Sequence, residues 1–544
     1  MTPAAHRQYT HDTPPGTDIL DADGKEHSVH YPMPSDSIHD PLVWKPAYKA
    51  VTYWLGVWWV FWACLPVNAV PSIYGALIRD YHMTPAEISQ VGGWNGLVLA
   101  LAGFILLPYA SAYGRRPMLL FSNLVNIAGT IWATQTHSHL TFLWARNVEV
   151  IGAGALEVLA LCLTGDMYFT QEAGLYHAIG FAPLILATNI GAPIAGAFEQ
   201  NNHGWRNFFW MCAGALIFTE IVLFFFFPET LWHRTNASAR GEVVTVGDAA
   251  APTDAEQDTG SLDEKAPRTP ALAPVLTAEG LTTAQAAVIA NVGKGYPTKQ
   301  QRYSIFPPRN KHYSLVRNML DIATLSTFGP VALFALWWAA IGGAATSSGF
   351  VAAQIWAAPP YLFGPAAIGC TNIPPTIGIF LGLFIAGPIV DWDVAQQAKR
   401  NGGVREPEMR LRVAIAGGVV AAVGNIIYGV GLQRHWHWAA VLVPGMGLNQ
   451  FAAAFSIVAV SSYATDVYKQ YPIEIAFITT LAKNLWVFGL GYFMNALFER
   501  VGPLKMIVLI SIPLYAAILI TVAFIWVGKS TRRFSARFGI MQRE

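Results

Sequence analysis

The sequence predicts an all-α integral membrane protein with twelve transmembrane helices in two pseudo-symmetric six-helix bundles. Three observations carry that expectation. The 544-residue chain is 53% hydrophobic and only 12% charged, about half the ~25% charge of an ordinary soluble protein. Folded in water, such a chain would expose large apolar patches, which soluble monomers rarely do. Its apolar residues gather into twelve runs, near 51–78, 90–112, 117–135, 141–166, 175–198, 207–228, 326–348, 367–390, 411–431, 438–465, 474–498 and 503–528. Each can cross the bilayer as a helix of about 20 residues, the form that satisfies its own backbone where lipid offers no partner. One long polar stretch, 229–325, separates six runs from six.

Residues 1–50 carry seven acidic and four basic side chains and no apolar core, so they read as a disordered tail and not as a signal peptide. The N-terminal six-helix bundle follows at 51–228. Its first spanner holds Trp54, Trp58 and Trp62 at four-residue spacing, beside Trp59. Trp58 is a candidate cavity residue, since ring faces stack on flat or cationic solutes; an interfacial belt or helix packing is the competing reading. The second spanner contributes Asn95 and ends in PYASAYGRRP, Pro108 to Pro117. Arg146, Glu149 and Glu157 lie in the fourth, Asn189, Gly191, Pro193 and Gly196 in the fifth, and Glu220 before Phe224–Phe227 in the sixth.

Residues 229–325, rich in Ala, Thr, Pro, Asp and Lys, read as an inter-half linker with local helix at 277–291. The C-terminal bundle spans 326–528 and a short tail 529–544. Its eighth spanner runs into GPIVDWDVAQQAKRNGG, Gly387 to Gly403; the tenth holds Asn449 and Gln450, and the eleventh Lys483 and Asn484. The polar positions Asn95, Asn189, Asn449, Lys483 and Asn484 are candidates for the substrate cavity, each weighed against a plain interhelical hydrogen bond. Cys64, Cys162, Cys212 and Cys370 each lie in an apolar run and read as small core residues, neither disulfides nor metal ligands.

Charge sets the topology. With the N-terminus inside, 27 of the 34 Lys and Arg fall in tails and inner loops, against five outside and two within spanners. The positive-inside rule then places both termini and the linker in the cytoplasm, where the Asn236 glycosylation triplet is a chance match. A net charge of +1 removes the case for nucleic acid. No phosphate-binding GxxxxGK[ST] loop, HExxH or GxSxG is present, so ATP coupling, cofactor chemistry and a membrane enzyme have no support.

The loops after the second and eighth spanners form a weak internal repeat. Together they resemble the G-x-x-x-D-R-x-G-R-R signature of the major facilitator superfamily, with Gly114, Arg115 and Arg116 matching its end and Gly387 and Asp391 its start. Arg146, Gly152 and Gly154 sit like the fourth-spanner residues of its proton antiporters. NIGAPIAG, Asn189 to Gly196, resembles their fifth-spanner motif, and HGWRNFFW, FPETLWHR and REPEMRLR resemble segments of fungal members of the twelve-spanner drug:proton antiporter family. The resemblance implies the major facilitator fold, with Gly114, Arg115, Arg116, Gly191, Pro193, Gly387 and Asp391 in conformational gating. This chain departs from the pattern at Ser111 and Ala112, which replace the first-loop aspartate and arginine. A lock using that aspartate must use other groups here, with Asp391 the surviving candidate.

Ionisable groups inside a membrane cost ~2.5–3.5 kcal/mol or more and mark function by default. At ~100° per residue Arg146, Glu149 and Glu157 share one helix face. Glu149 can pair with Arg146 directly, whereas Glu157 lies about 16 Å farther along the axis, so Glu157 is the expected proton carrier with Arg146 and Glu149 as a coupled pair. Structural ion pairing is the alternative. The expected function is proton-coupled transport of a small organic molecule by alternating access, as an exporter of a metabolite or toxic compound. Import of an organic cation or nutrient, and a non-transporting sensor with the same fold, are the alternatives. The acidic groups favour a cationic or neutral substrate, and Lys483 weakens that inference. The expected partners are substrate, protons and lipid, for a monomer in the plasma membrane, with the vacuolar membrane as the alternative.

Overall fold

A computed structural model of the chain describes residues 18–19, 34–35, 37–67, 69–201, 204–232, 292–304, 315–402, 404–468 and 471–535. Helix dominates throughout. The first pass is interrupted: α1 (Pro46–Cys64) ends in a turn, a short 3-10 segment (Val70–Ile73) follows, and α2 (Tyr74–Tyr81) completes it. The second pass is α3 (Pro85–Tyr113), opened by a Thr84–Glu87 capping box with Pro85 in the first turn, where its missing N–H costs nothing. The third is α4 (Arg115–Thr134). The fourth is divided at Gly154 into α5 (His139–Ala153) and α6 (Leu156–Met167). The long α7 (Thr170–Gln200) and α8 (Trp205–Phe226) complete the first half.

Two short helices, α9 (Lys299–Tyr303) and α10 (Leu315–Leu325), precede the second half. There α11 (Gly329–Trp356) is the seventh pass, α12 (Pro365–Cys370) with α13 (Ile373–Arg400) the eighth, and α14 (Leu411–Gln433) the ninth. The tenth joins α15 (Trp438–Val441) to α16 (Leu448–Val467) through a π-helical stretch at Leu442–Gly447. The last two passes run through α17 (Pro472–Ile510) and α18 (Ile512–Ser535). Their turn lies inside α17, at Gly502 with φ 76° followed by Pro503, a backbone that glycine adopts without the penalty of a Cβ. By length and composition seven helical segments among the described residues qualify as membrane spans, and Pro472–Ser535, at 64 residues, contains two passes.

The bundle is apolar outside as well as inside. Leu101, Ile105, Phe225, Phe384 and Trp526 project from it, while Asn123, Asn126 and Thr130 of α4 are buried, the distribution lipid favours. The two halves meet through α3 against α17 and α7 against α12. Gly93 and Gly491 cross so closely that a Cβ on Gly491 would lie 2.8 Å from the Gly93 Cα, and one on Gly369 would lie 2.4 Å from Pro193 N. A polar latch joins the halves on the same face. Asn495 Nδ2 donates to Pro85 O at 3.0 Å and to Ser89 Oγ, and Gln354 Nε2 donates to Asn495 Oδ1 and, at 3.3 Å, to Tyr74 Oη. We call this the latch face, and the face carrying the tails and linker the tail face.

On the tail face, part of the expected disordered tail is packed. Leu42, Val43 and Trp44 are buried, Trp44 bridges Gly295, and Lys45 N donates to Gly295 O at 2.9 Å. Apolar residues just before Pro46 and the segment around Gly295 thus cover one another within the expected tail and linker. The two-residue strand β1 (Asp18–Ile19) pairs antiparallel with β2 (Val404–Arg405). The helix expected at 277–291 lies outside the described residues. Cys64, Cys162 and Cys212 are buried, but Cys370 is exposed at the end of α12, which corrects its reading as a core residue.

Candidate functional site

The break in the first pass frees backbone carbonyls inside the membrane, and each is met by a neighbour. Arg146 of α5, fully buried, donates from Nη2 to Pro66 O at 2.9 Å and to Val67 O at 2.8 Å. Asn126 Nδ2 donates to Ala63 O at 3.4 Å. Gly191 of α7 lies against Leu65 O, where a Cβ would approach to 2.1 Å. The guanidinium stands 5.2 Å from the Phe209 ring centroid. Its remaining reach goes to Glu149, whose Oε2 it meets through Nη1. Glu149 Oε1 and Arg146 Nε are buried without a partner, so the pair holds one open acceptor. Glycine makes this possible: a Cβ on Gly129 would sit 2.2 Å from Glu149 N, and one on Gly152 2.2 Å from Asn126 N.

Glu157 lies on α6, and its side chain is outside the described residues. Glu220 accepts from Asn123 Nδ2 at 2.8 Å, while Asn123 Oδ1 takes the Trp59 indole at 3.0 Å. That carboxylate ties the first, third and sixth passes together.

Of the expected cavity residues, three gather between α3, α11 and α17. Asn95 and Asn484 are 5% and 3% exposed, and a Cβ on Gly96, beside Asn95, would lie 3.2 Å from Asn484 O. Lys483 Nζ stands 5.9 Å from the centroid of Trp338, and its stem fills the space beside Gly342, as Trp486 does beside Gly343. The other three do not join them. Trp58, 43% exposed, donates to Thr219 of α8 at 3.0 Å, so it packs against its own half. Asn189 donates back to Ile185 O at 2.7 Å. Asn449 donates to Ala421 O and Asn425 Oδ1, both at 2.9 Å, fastening the tenth pass to the ninth.

Of the residues expected in gating, Arg115, Arg116 and Asp391 lie in two matching networks on the tail face, whereas Gly191 packs against Leu65 and Pro193 against Gly369. In the first half Arg115 reaches Asp166 at 3.0 Å, and Glu229 accepts from the backbone N–H groups of Arg115 and Arg116 at 2.8 and 3.1 Å. In the second half Arg410 reaches Asp466 at 2.8 Å and Asp391 at 3.2 Å, while Arg532 grips Glu408 with both contacts at 2.7 Å. Burial raises the pKa of the Glu229 carboxyl, against three backbone N–H donors and Arg115 that hold it down. Gly114 supplies the turn before Arg115 with φ 112°. Gly387 has open space around its Cα. In the first half, where the signature aspartate is Ser111, it is Asp166 and Glu229 that hold Arg115, contacts that the signature loop alone did not indicate. One signal pointed to Asp166: TGDMY at 164–168 and ATDVY at 464–468 resemble each other in the two halves.

The family model of the Major Facilitator Superfamily matches residues 56–489. The chain belongs to that superfamily. Among similar proteins, an uncharacterized MFS-type transporter of Schizosaccharomyces pombe is 23% identical over 95% of this chain and 90% of its own length. The Aspergillus flavus protein named "Probable efflux pump mfs2" is 21% identical over 75% of this chain and 84% of its own. The solved structure of the xylose transporter XylE from E. coli, in a partially occluded inward open conformation, overlays with a TM-score of 0.57 at 11% identity, covering 88% of this chain and 98% of that one. That likeness establishes the fold. This member of the superfamily is therefore a transporter and not an enzyme, and an integral membrane protein of major facilitator architecture.

Proposed function

We propose that this major facilitator transporter is proton-coupled and exports a small organic solute by alternating access, acting as a monomer in the plasma membrane with its tail face in the cytoplasm. The observation that carries the coupling is the position of Arg146, which bridges Glu149 to the carbonyls of Pro66 and Val67 at the break of the first pass. A proton arriving at the open oxygen of Glu149 cancels the charge that holds one side of the guanidinium. Arg146 is then held by the carbonyls alone, and the first pass is free to shift against α7, where Gly191 abuts Leu65 O. Discontinuous helices at mid-membrane serve other transporters in this way. Export is supported by the similarity to the protein named as an efflux pump, and the inside orientation by the Lys and Arg distribution.

The test is flux in proteoliposomes with an imposed pH gradient. Glu149→Gln, which fixes the uncharged form while keeping the shape, is expected to bind substrate and exchange it but to lose gradient-driven accumulation. Full gradient-driven accumulation by that variant would remove Glu149 from the mechanism.

A further inference from the structure

The polar stretch between the halves returns to the first half before it crosses to the second. Past α8 the chain is held by Trp232, whose indole donates to Ser35 Oγ at 3.0 Å, and the next described residues, 292–304, lie against the same half. Three sets of bonds keep them there. Gly293 N and Gly295 N both donate to Val43 O, at 3.0 and 2.8 Å, and Tyr296 N donates to Ile38 O at 3.2 Å. Gly295 permits that approach, since a Cβ there would lie 2.2 Å from Ile38 O and 2.9 Å from Val43 O. Glu229 N donates to Gln301 O at 2.7 Å, and the Thr298–Gln301 capping box that opens α9 fixes the glutamine. Arg116, buried, donates to the carbonyls of Arg302 and Ser304 and, at 2.6 Å, to Phe224 O. A buried charged donor stripped of its acceptors is costly, so this third set resists undocking.

The chain behaves differently after residue 314. There α10 packs on α3 and α17, one from each half, and its Ile322 and Leu325 are buried in the apolar core of the second half.

We propose that residues 292–304 are a brace that travels with the first half, so that the tether between the moving halves is the ten residues 305–314, while 233–291 leave and rejoin the same half. The brace lies on residues 38–45, directly before α1, and so fixes the base of the first pass. Displacement of that pass then falls at its break, between Cys64 and Tyr74. The tether makes eleven Cα steps from Ser304 to Leu315 and spans at most about 36–40 Å, which sets a ceiling on how far the halves part. A free linker over the whole of 229–325 would set none. Neither the substrate nor proton coupling enters this assignment, and it stands or falls apart from them.

The experiment measures nitroxide distances in the full-length protein in lipid nanodiscs, with Cys370→Ser removing the exposed native thiol. Tyr303→Cys reports the brace, Gly165→Cys the first half and Arg400→Cys the second, and all three positions are exposed. The Tyr303–Gly165 pair is expected to give one narrow distribution in acid, in mildly alkaline buffer and in the Asn495→Ala background. The Tyr303–Arg400 and Gly165–Arg400 distributions are expected to change together or not at all. Deleting residues 240–285 should leave all three pairs as they are. Gly295→Val puts a side chain where Ile38 O and Val43 O stand, and is expected to add a longer, broader Tyr303–Gly165 component and to lower the thermal midpoint; Gly295→Ala carries the same test if the valine variant does not fold. The assignment is overturned by a broad or shifting Tyr303–Gly165 distance in the parent, or by a brace distance to Arg400 that stays fixed while Gly165–Arg400 moves. A change on deleting 240–285, or an unchanged brace distance in the Gly295 variants, would overturn it equally.

Discussion

The identity of single residues at the first-pass break follows from distance. Gly191 has a carbonyl where any side chain would begin, 2.1 Å from the ideal Cβ. Backbone on both sides means neither partner can rotate away, so Gly191→Ala must displace α1 or α7. Overpacking of this kind costs about 1–3 kcal/mol, and we expect a lower thermal midpoint together with loss of transport. Gly387→Ala is the control, since nothing lies within 4 Å of its Cβ position; it should leave the midpoint unchanged or slightly higher. Equal effects of the two would break the argument. At this scale the sequence was informative about charge and silent about direction. The three-residue spacing of Arg146 and Glu149 announces their contact, because i and i+3 share a helix face. No spacing tells that Arg146 also grips Pro66 and Val67, eighty residues earlier. Nor does the tryptophan stripe tell which way Trp58 turns, and it turns toward Thr219.

Elements on the tail face are joined by carboxylates that the helices themselves leave short of solvent. Glu229, just past α8, accepts from the first N–H groups of α4 at Arg115 and Arg116 and from Leu231 N at 2.8 Å. It therefore caps one pass with the end of another. Burial nonetheless raises its pKa. A carboxyl raised in the folded state contributes most to stability when it is protonated, and that contribution is lost as pH rises through the elevated value. Relative to Glu229→Gln, the wild-type thermal midpoint should accordingly fall as pH is raised from acid through the ordinary glutamate range and above it. A constant difference across that range would show that Glu229 does not titrate there. The matching second-half cluster was legible only in part. Asp391 was found by its signature, whereas Asp466 at the end of α16, Glu408 just before α14 and Arg532 near the end of α18 come from separate segments that only folding brings together.

At the scale of the whole molecule, most of the architecture was legible because lipid imposes length: twelve apolar runs, one polar interruption. What length could not reveal is which face of the bundle is shut, since that depends on contacts between helices more than a hundred residues apart. On the latch face, glycine crossings at Gly93 and Gly491 give close approach, but close approach alone between apolar surfaces in lipid carries little net drive. The polar bonds across the halves, from Asn495 to Ser89 and Pro85 O and from Gln354 to Tyr74, supply direction and energy. Each is worth about 0.5–1.5 kcal/mol, so losing the two made by Asn495 should shift the balance toward the latch-open state by roughly five- to a hundredfold. Nitroxide labels at Gln135→Cys and Leu362→Cys, both exposed on this face in opposite halves, with Cys370→Ser to remove the exposed native thiol, report the separation. Asn495→Ala is expected to populate a longer distance that the parent protein shows weakly or not at all, and the same variant should close the tail face, where the Arg115 and Arg410 networks would compete. An unchanged distance distribution would mean that the glycine crossings, and not the amides, hold the halves together.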